Sequence, residues 1–482
     1  MRHPEWALKH KRKGTELRLI NGNYYLYEVK CVWDPEKKKP KKKTGKIIGK
    51  ITPEGFIESP KRKLEKTTPS IISLQVKEYG ASKFILDSMT DSIRSLQNYF
   101  IDEWQFIVAL AFYRLFHRSH IKNMPFHHQH SFLSEIFANI KITEKRISKF
   151  LRELGIMRSE IVKYFKDFIS EGDHILIDAT PLFTQSENII ISKYGYNNKR
   201  VYLPQVNLLF IFSVKNHMPV YYRITPGNVR EISAFKLCIE ESGARDAVII
   251  ADKGFYSEDN VNQMEENELQ YIIPLKRNSI LIDYSCLKSG DKRCMDGYFK
   301  YKKRFIWYSK STLSSRTVYI YLDEHLKSVE EKDYLTRIET HPEEYHIDKF
   351  YEKQHYFGTL SVISNCTSKS AEEIFQFYKS RSSVEQMFDV FKNLLEADRT
   401  YMQNEESLEG WNFINTIALQ WYYKIYQILL RKKLLSRYSV HDVLLHLSEI
   451  RKVKINNKWK IAEIDKKTEK LLDKLNINIP IT

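Results

Sequence analysis

Tyr378, Arg381, Glu385 and Lys392 place a phenol, a guanidinium, a carboxylate and an ammonium at offsets of 0, 3, 7 and 14 along one segment. On an α-helix, at about 100° per residue, these offsets fall within an arc of roughly 60°, so all four groups leave on one side. A carboxylate flanked by cations and a phenol suits a hard metal ion held beside phosphate oxygens. The same row, taken alone, is more simply an exposed charged stripe with an incidental Arg–Glu pair. Two further acids shift that balance. Asp178 lies in HILIDAT and Asp252 ends VIIAD, short apolar runs that read as buried strands, each delivering a carboxylate. Either aspartate by itself is more simply a strand-end or turn residue. Three acids without histidine or thiolate suit Mg²⁺ or Mn²⁺. Two such ions a few Å apart serve phosphodiester chemistry, activating the attacking oxygen and stabilising the leaving one.

The elements that must position these groups follow from periodicity. Phe377, Val384, Phe388, Phe391 and Leu395 repeat at helical steps, so Ala371–Leu395 reads as one amphipathic helix. Upstream, His174–Thr180, Val206–Val214 and Val220–Ile224 read as strands, Ile232–Ser242 as a helix and Val248–Asp252 as a strand. Glu258–Leu269, with Ser257 as N-cap, reads as a helix, and Tyr271–Leu275 as a strand. The order is β-β-β-α-β-α-β, with Asp178 on the first strand and Asp252 on the fourth. If those two strands are neighbours in a mixed sheet and the later helix crosses them, Asp178, Asp252 and Glu385 converge.

Residues 277–357 break that order, and Phe299–Tyr308 and Thr317–Leu322 suggest an antiparallel β insertion. Within it, Phe305 and Trp307 share a strand face and are expected to form the insertion's small core. Stacking on a displaced base is the alternative. Leu360–Ser364 reads as one more strand, and residues 396–482 as mostly helical.

The 482-residue chain carries 77 Lys+Arg against 60 Asp+Glu, a net charge of +17, which points to a polyanionic partner. Its length implies more than one domain. Near the N-terminus, Tyr24–Val29 and Lys46–Ile51 read as strands joined by the Lys-rich loop EKKKPKKKTGK, a hairpin with a basic tip. That tip is either a solvated loop or a rider on a DNA backbone. Residues 66–170 look helical, with Thr143 as N-cap of a helix through Leu154 and Gly155 as its stop. His117, His120, His127, His128 and His130 cluster without the acidic or thiolate partners of a metal site, and are expected at the surface or facing DNA. Five scattered cysteines suggest no disulfide framework and a reducing compartment. No run is long enough to span a bilayer. The expected location is cytoplasmic.

Together these residues resemble DDE-type bacterial insertion-sequence transposases with the signature Tyr-x2-Arg-x3-Glu-x6-Lys, present here as Tyr378, Arg381, Glu385 and Lys392. ILIDATPL, IIADKGFYS, YGYNNKR followed by Gln205, and Pro226-Gly227-Asn228 resemble the same family. The likeness is good over roughly 171–395. The run NNKRVYLPQ departs from the family's usual pattern at the contacts to the substrate end. The resemblance implies an α/β fold: a ribonuclease H-like mixed-sheet core (171–276 and 358–395) with a β insertion (277–357). Around it would lie a basic hairpin region (1–65), a helical DNA-binding region (66–170) and a C-terminal helical region (396–482). It further implies metal-dependent strand cleavage and strand transfer, with Asp178, Asp252 and Glu385 as catalytic metal ligands for Mg²⁺ or Mn²⁺, two ions in all. Tyr378, Arg381 and Lys392 would contact the phosphates of double-stranded DNA, at element ends and target, and a homodimer would hold paired ends. A catalytically silent DNA-binding repressor, or a ribonuclease H-like nuclease without strand transfer, are the competing functions.

Overall fold

The computed structural model describes every residue except 1–2, 36, 60–72, 171–172, 174, 196–201, 229–230, 245–246, 252–254, 398 and 480–482. The chain forms two units, residues 1–75 with 454–459, and the remainder.

In the first unit, β1 (Thr15–Ile20), β2 (Asn23–Asp34), β3 (Lys39–Thr52) and β4 (Gly55–Glu58) make an antiparallel sheet in that order. Leu17, Leu26 and Ile51 point to one side and pack with Ala7 as a small core. The lysine run is not a loop. Lys39–Thr44 belongs to β3 and pairs residue by residue with Val29–Asp34, so the turn shrinks to residues 35–38. A run of like charges around Pro40 has no apolar alternation to reveal a strand. It is the opposing Val29, Val32 and Trp33 that carry the β preference.

The second unit opens with helices, among them α1 (Trp104–His117), α2 (Glu144–Ile156) and α3 (Arg158–Lys166). Helix α1 is buried from Phe106 to Leu115. The Thr143 hydroxyl caps α2 by accepting a hydrogen bond from the Arg146 backbone N–H at 3.3 Å. Of the clustered histidines, His120 and His130 lie at the surface as expected, whereas His117, His127 and His128 pack inward. His117 and His127 stack with ring centroids 4.1 Å apart, and buried His128 shares a 2.7 Å hydrogen bond between its Nδ1 and the Tyr113 hydroxyl. Burial holds both His117 and His128 at about 4, His127 adding repulsion at the former.

The central sheet comes next: β5 (Ile175–Thr184), β6 (Gln205–Ser213), β7 (Met218–Pro226), α4 (Glu231–Ser242), β8 (Ala247–Ile250), α5 (Glu258–Glu266) and β9 (Gln270–Pro274). Strand β5 pairs antiparallel with β6 and parallel with β8, so the first and fourth strands are neighbours as expected. Residues 277–357 contribute β10 (Gly297–Tyr301), β11 (Arg304–Leu313), β12 (Arg316–Asp323) and α6 (Glu324–Thr340). Strand β13 (Thr359–Ser364) lies between β12 and β9, so the inserted strands continue the central sheet. Then come α7 (Ala371–Asp389), a π-helical turn at Val390–Leu394, β14 (Arg399–Thr400) and α8 (Glu405–Arg431). The resulting mixed sheet has ten strands, in the order β10-β11-β12-β13-β9-β8-β5-β6-β7 with β14 beside the end of β5.

Close packing locks α8 onto α2. A Cβ on Gly155 would collide with the backbone of Glu406, and one on Gly410 with the backbone of Leu151. Gly155 is thus a crossing point inside α2, which runs on to Ile156, and not its stop. Arg158 ties four elements together. It donates to Glu241 of α4 at 3.0 Å, to Glu409 of α8 at 2.7 Å, and to the Tyr221 hydroxyl of β7 at 2.7 Å. Although burial raises the Glu241 carboxyl, Arg158, the Tyr221 hydroxyl and Arg223 together more than offset it, leaving the carboxyl below its usual range.

Two expectations about the insertion are overturned. Ile306 is fully buried, whereas Phe305 is 57% exposed. Ile306 and its register partner Phe299 face the interior, and the rings of Phe299, Tyr301 and Tyr321 surround Phe375 of α7 at 5.0–5.3 Å. Phe305 and Trp307 share a face, but it is the outer one. There Trp307 packs 5.1 Å from Tyr298 and lies under the Lys292 ammonium. The second correction concerns sulfur: Cys286 and Cys294 form a disulfide across a loop that carries Lys292. An eight-residue separation without a CxxC spacing gave no sign of it in the sequence.

This placement predicts that Ile306→Ala destabilises the protein by about 2–5 kcal/mol, the cost of a core truncation. Phe305→Ala should cost less than about 1 kcal/mol. Urea denaturation of the two variants compares them directly, and equal losses would reverse the facing of β11.

Candidate active site

Asp178 is the fourth residue of β5 and stands opposite Phe210 of β6 in the ladder. Directly opposed residues share a sheet face. The Phe210 ring packs 5.9 Å from Phe388 and 5.3 Å from Phe391, on the helical segment that crosses the sheet. The Asp178 carboxylate therefore leaves on the face covered by α7, and its Oδ1 accepts the Ala179 backbone N–H at 2.8 Å. Glu385 is one turn before Phe388 on α7, with its side chain 57% exposed. Strand register and helix packing thus bring Asp178 and Glu385 to the same face. Asp252 lies outside the described residues, as do Tyr196–Arg200 of the YGYNNKR stretch. Strand β8, which leads towards position 252, runs parallel beside β5, with Ile249 level with Ile177.

Helix α7 has a firm start. Ser370 Oγ accepts from the Glu373 backbone N–H at 3.2 Å, and the Glu373 carboxylate accepts from the Ser370 backbone N–H at 2.8 Å. This capping box fixes the first turn. The apolar row Phe377, Val384, Phe388, Phe391 and Leu395 is buried along its whole length. On the polar side, Arg381 and Glu385 form a 3.1 Å ion pair. Pairs of this spacing are worth only about 0.3–0.5 kcal/mol, so the pair records proximity more than it supplies stability. Tyr378 is half-buried against the core.

The single α-helical arc does not run the full length. Lys392 lies in the π turn, where the Leu395 N–H bonds to the Val390 carbonyl at 3.0 Å. The wider turn advances each residue by less than an α-helix does, so Lys392 departs from the ideal arc of Tyr378, Arg381 and Glu385. Its ammonium lies 5.3 Å from the Phe388 ring centroid.

Two groups around α7 escape a reading by periodicity. Lys379, half-buried beside the signature row, sits 5.2 Å from the Phe375 ring. Burial, then the positive charges of Arg304 and Lys302, hold its ammonium below the usual lysine range, against the pull of Asp323. The basic run KYKKRF is the sequence signal for that concentration of charge. The other is Arg114, an isolated charge in the apolar helix α1 and only 1% exposed. Its Nη2 donates to the Leu395 carbonyl, where the π turn ends, and its Nε to Asn415 Oδ1 at 2.7 Å. Nη1 donates to the Ser119 carbonyl at 3.0 Å, and the guanidinium lies over the Trp411 ring at 4.7 Å. Burial pulls its pKa down to about 10, against the pull of Glu396, which leaves it charged at neutral pH.

The donors fit a hard cation. Asp178 and Glu385 offer carboxylate oxygens only. Among the described residues no three histidine, cysteine or acidic side chains stand together as a metal cluster. Arg381 beside Glu385 would balance excess negative charge or engage a phosphate oxygen.

Replacing Arg114 by Met keeps much of its volume but leaves the Leu395 carbonyl and Asn415 without their charged donor. A loss of about 3 kcal/mol in chemical denaturation is expected, since buried hydrogen bonds to charged groups are worth about 1.5–3 kcal/mol each and some can be replaced by local adjustment. A change within about 0.5 kcal/mol would place the strength of this junction elsewhere.

The family model described as Transposase DDE domain matches residues 169–421, more than half of the chain. No curated protein is a significant match. Among solved structures, the cryo-EM structure of the piggyBac transposase synaptic complex with hairpin DNA aligns at a TM-score of 0.37 and 13% identity. The alignment covers 71% of this chain and 69% of that one, a likeness too slight to carry any statement about this fold.

Proposed function

This chain belongs to the transposase DDE domain family and is a DNA transposase; from that premise we propose that it cuts phosphodiester bonds at the ends of a bacterial insertion sequence and joins them to target DNA. The core is proposed to be ribonuclease H-like, with residues 277–357 inserted in it. The observation that carries this reading is the ladder register of Asp178 opposite Phe210, whose ring packs on the helical segment of Glu385.

In this reading Asp178, Asp252 and Glu385 hold two divalent cations, Mg²⁺ or Mn²⁺. Bound there, the cations would supply activation of the attacking oxygen and stabilisation of the leaving one. The remaining work belongs to the chain. Arg381 steadies Glu385 from one turn away and presents its planar donors to a phosphate. Tyr378 donates a hydrogen bond from its hydroxyl to a phosphate oxygen further along the same face. Lys392, carried by the π turn, reaches a second position on the DNA backbone. Outer-face Trp307, under Lys292, is available to stack on a displaced base. A homodimer would hold the two ends. No helix among the described residues is long and apolar enough to cross a membrane. The cytoplasm is the proposed location because the substrate is there. The cysteine argument for it no longer stands, given the Cys286–Cys294 bridge.

The test is incubation of labelled element-end DNA with the chain and Mg²⁺, which separates binding, hydrolysis and joining to a second DNA. Asp178→Asn and Asp252→Asn should each abolish cleavage while leaving binding nearly intact. Cleavage rates within a few-fold of the parent for either variant would remove that residue from the metal site.

Arg381→Ala and Lys392→Ala should weaken end-DNA binding and flatten its dependence on salt. Each phosphate that a variant no longer neutralises lowers the log–log slope by about 0.9. An unchanged slope in both variants would leave them a structural role only.

A further inference from the structure

The outer half of the β2–β3 hairpin is exposed on both of its faces. Lys30, Cys31, Val32 and Trp33 on one strand, and Lys39 to Lys43 on the other, are all exposed, with Val32 at 51% and Trp33 at 62%. The inner half is different, for there Leu26 and Ile51 reach the small core. Register shifts between Leu26 and Val29 mark the boundary between the two halves. Beyond that boundary β1 and β4 no longer flank the pair: β1 ends against Glu28, and β4 pairs only with Gly49–Thr52. The two strands continue alone as a ribbon.

Such a ribbon is poorly stabilised by itself. A two-stranded hairpin without a covering layer is marginal in water. This one carries seven lysines against two acids between Lys30 and Lys43. Lys30 stands directly opposite Lys43, a like-charge pair that weakens a sheet. Lysines do guard sheet edges against aggregation, but one or two suffice for that, and here they also occupy the faces. The register sorts them. Lys39, Lys41 and Lys43 share one face with Lys30, Val32 and a single acid, Asp34 opposite Lys39, while Lys42 shares the other with Cys31, Trp33 and Pro40. Alternate residues on a strand are about 6.8 Å apart, which lets each of the three lysines meet a different phosphate. A two-stranded ribbon is also an element that the major groove of B-DNA admits.

We propose that the ribbon Val29–Asp34/Lys39–Thr44 is a DNA-binding arm that lies along duplex DNA, with Lys39, Lys41 and Lys43 on its phosphates. The arm rests on the reading that this chain acts on DNA, and on nothing about the acidic site. Its contacts are with the backbone, so it adds affinity without sequence choice. Neutralising phosphates also removes the like-charge strain across the ladder.

The test uses the full chain carrying Lys39→Gln, Lys41→Gln and Lys43→Gln together, and a partner variant with Arg at the same three positions. Affinity for a short fluorescent duplex DNA is measured across a series of salt concentrations. The Gln variant should show a log–log slope shallower by about 0.9 for each lysine that met a phosphate, about 2.7 at most. The Arg variant should keep the parent slope, and neither variant should melt below the parent. A slope loss below about 0.9 in the Gln variant overturns the proposal. So does an equal loss in the Arg variant, or a loss confined to single-stranded DNA or duplex RNA. Asp178→Asn, run alongside, should keep the full slope. If that variant still cleaves, the assignment of the acidic site fails while the arm stands.

Discussion

The packing of Phe210 against Phe388 and Phe391 is the interaction on which the rest of the second unit depends. A strand can deliver a carboxylate to a sheet face, but it cannot choose what covers that face. The helix that carries Glu385 must cross at the right height and rotation, and a handful of contacts set both. Its start is fixed by the Ser370–Glu373 box, its second turn by Phe375 among the insertion's rings, and its end by Arg114 at the Leu395 carbonyl. The helix is held from three sides by segments distant in sequence. Its exposed row can therefore be polar and weakly paired without losing position.

Buried charge does the orienting elsewhere. Arg158 joins α3 to β7, α4 and α8, and Arg114 joins α1 to the end of the π turn and to α8. Apolar packing tolerates small rotations, whereas a guanidinium with its donors engaged in fixed directions does not. An apolar replacement of similar size could match the stability of such a junction and still lose its angular precision. Both arginines reach α8, which is itself pinned to α2 through Gly155 and Gly410.

Much of this was legible in the sequence where one physical signal dominated. Fully buried strands such as Val248–Ile250 read as continuous apolar runs, and the capped helices at Thr143 and Ser257 announced their starts. Helix α7 showed both of its faces at once. What stayed hidden had competing or absent signals. The outer part of β3 is a strand made of lysines, held by its partner rather than by its own composition. Helix α6 buries only Tyr334 among its described side chains, so it has almost no apolar stripe to detect. Phe305 and Trp307 were right in sharing a face, but alternation alone does not say which face is inside, and Ile306 took it. The π turn at Val390–Leu394 leaves no mark in the residue pattern, whose apolar row runs on to Leu395. Of the acidic site, Asp178 and Glu385 can be followed into the fold, while Asp252 lies beyond the described residues.

Strand β14 is only two residues long, yet it adds to the central sheet by pairing Arg399 and Thr400 with Phe183 and Thr184 at the end of β5. More than two hundred residues separate the partners, and β13 inserts beside β9 across about ninety. Pairings this distant form late, because the loops they close must first lose their freedom. On the ribosome the strand bearing Asp178 emerges long before the helix bearing Glu385, and the sheet waits unfinished in between. A chain ended before α7 thus leaves that face of the sheet uncovered and lacks Glu385. Any chemistry that needs both the Asp178 and the Glu385 carboxylates is in this way withheld until the helix bearing Glu385 has been made.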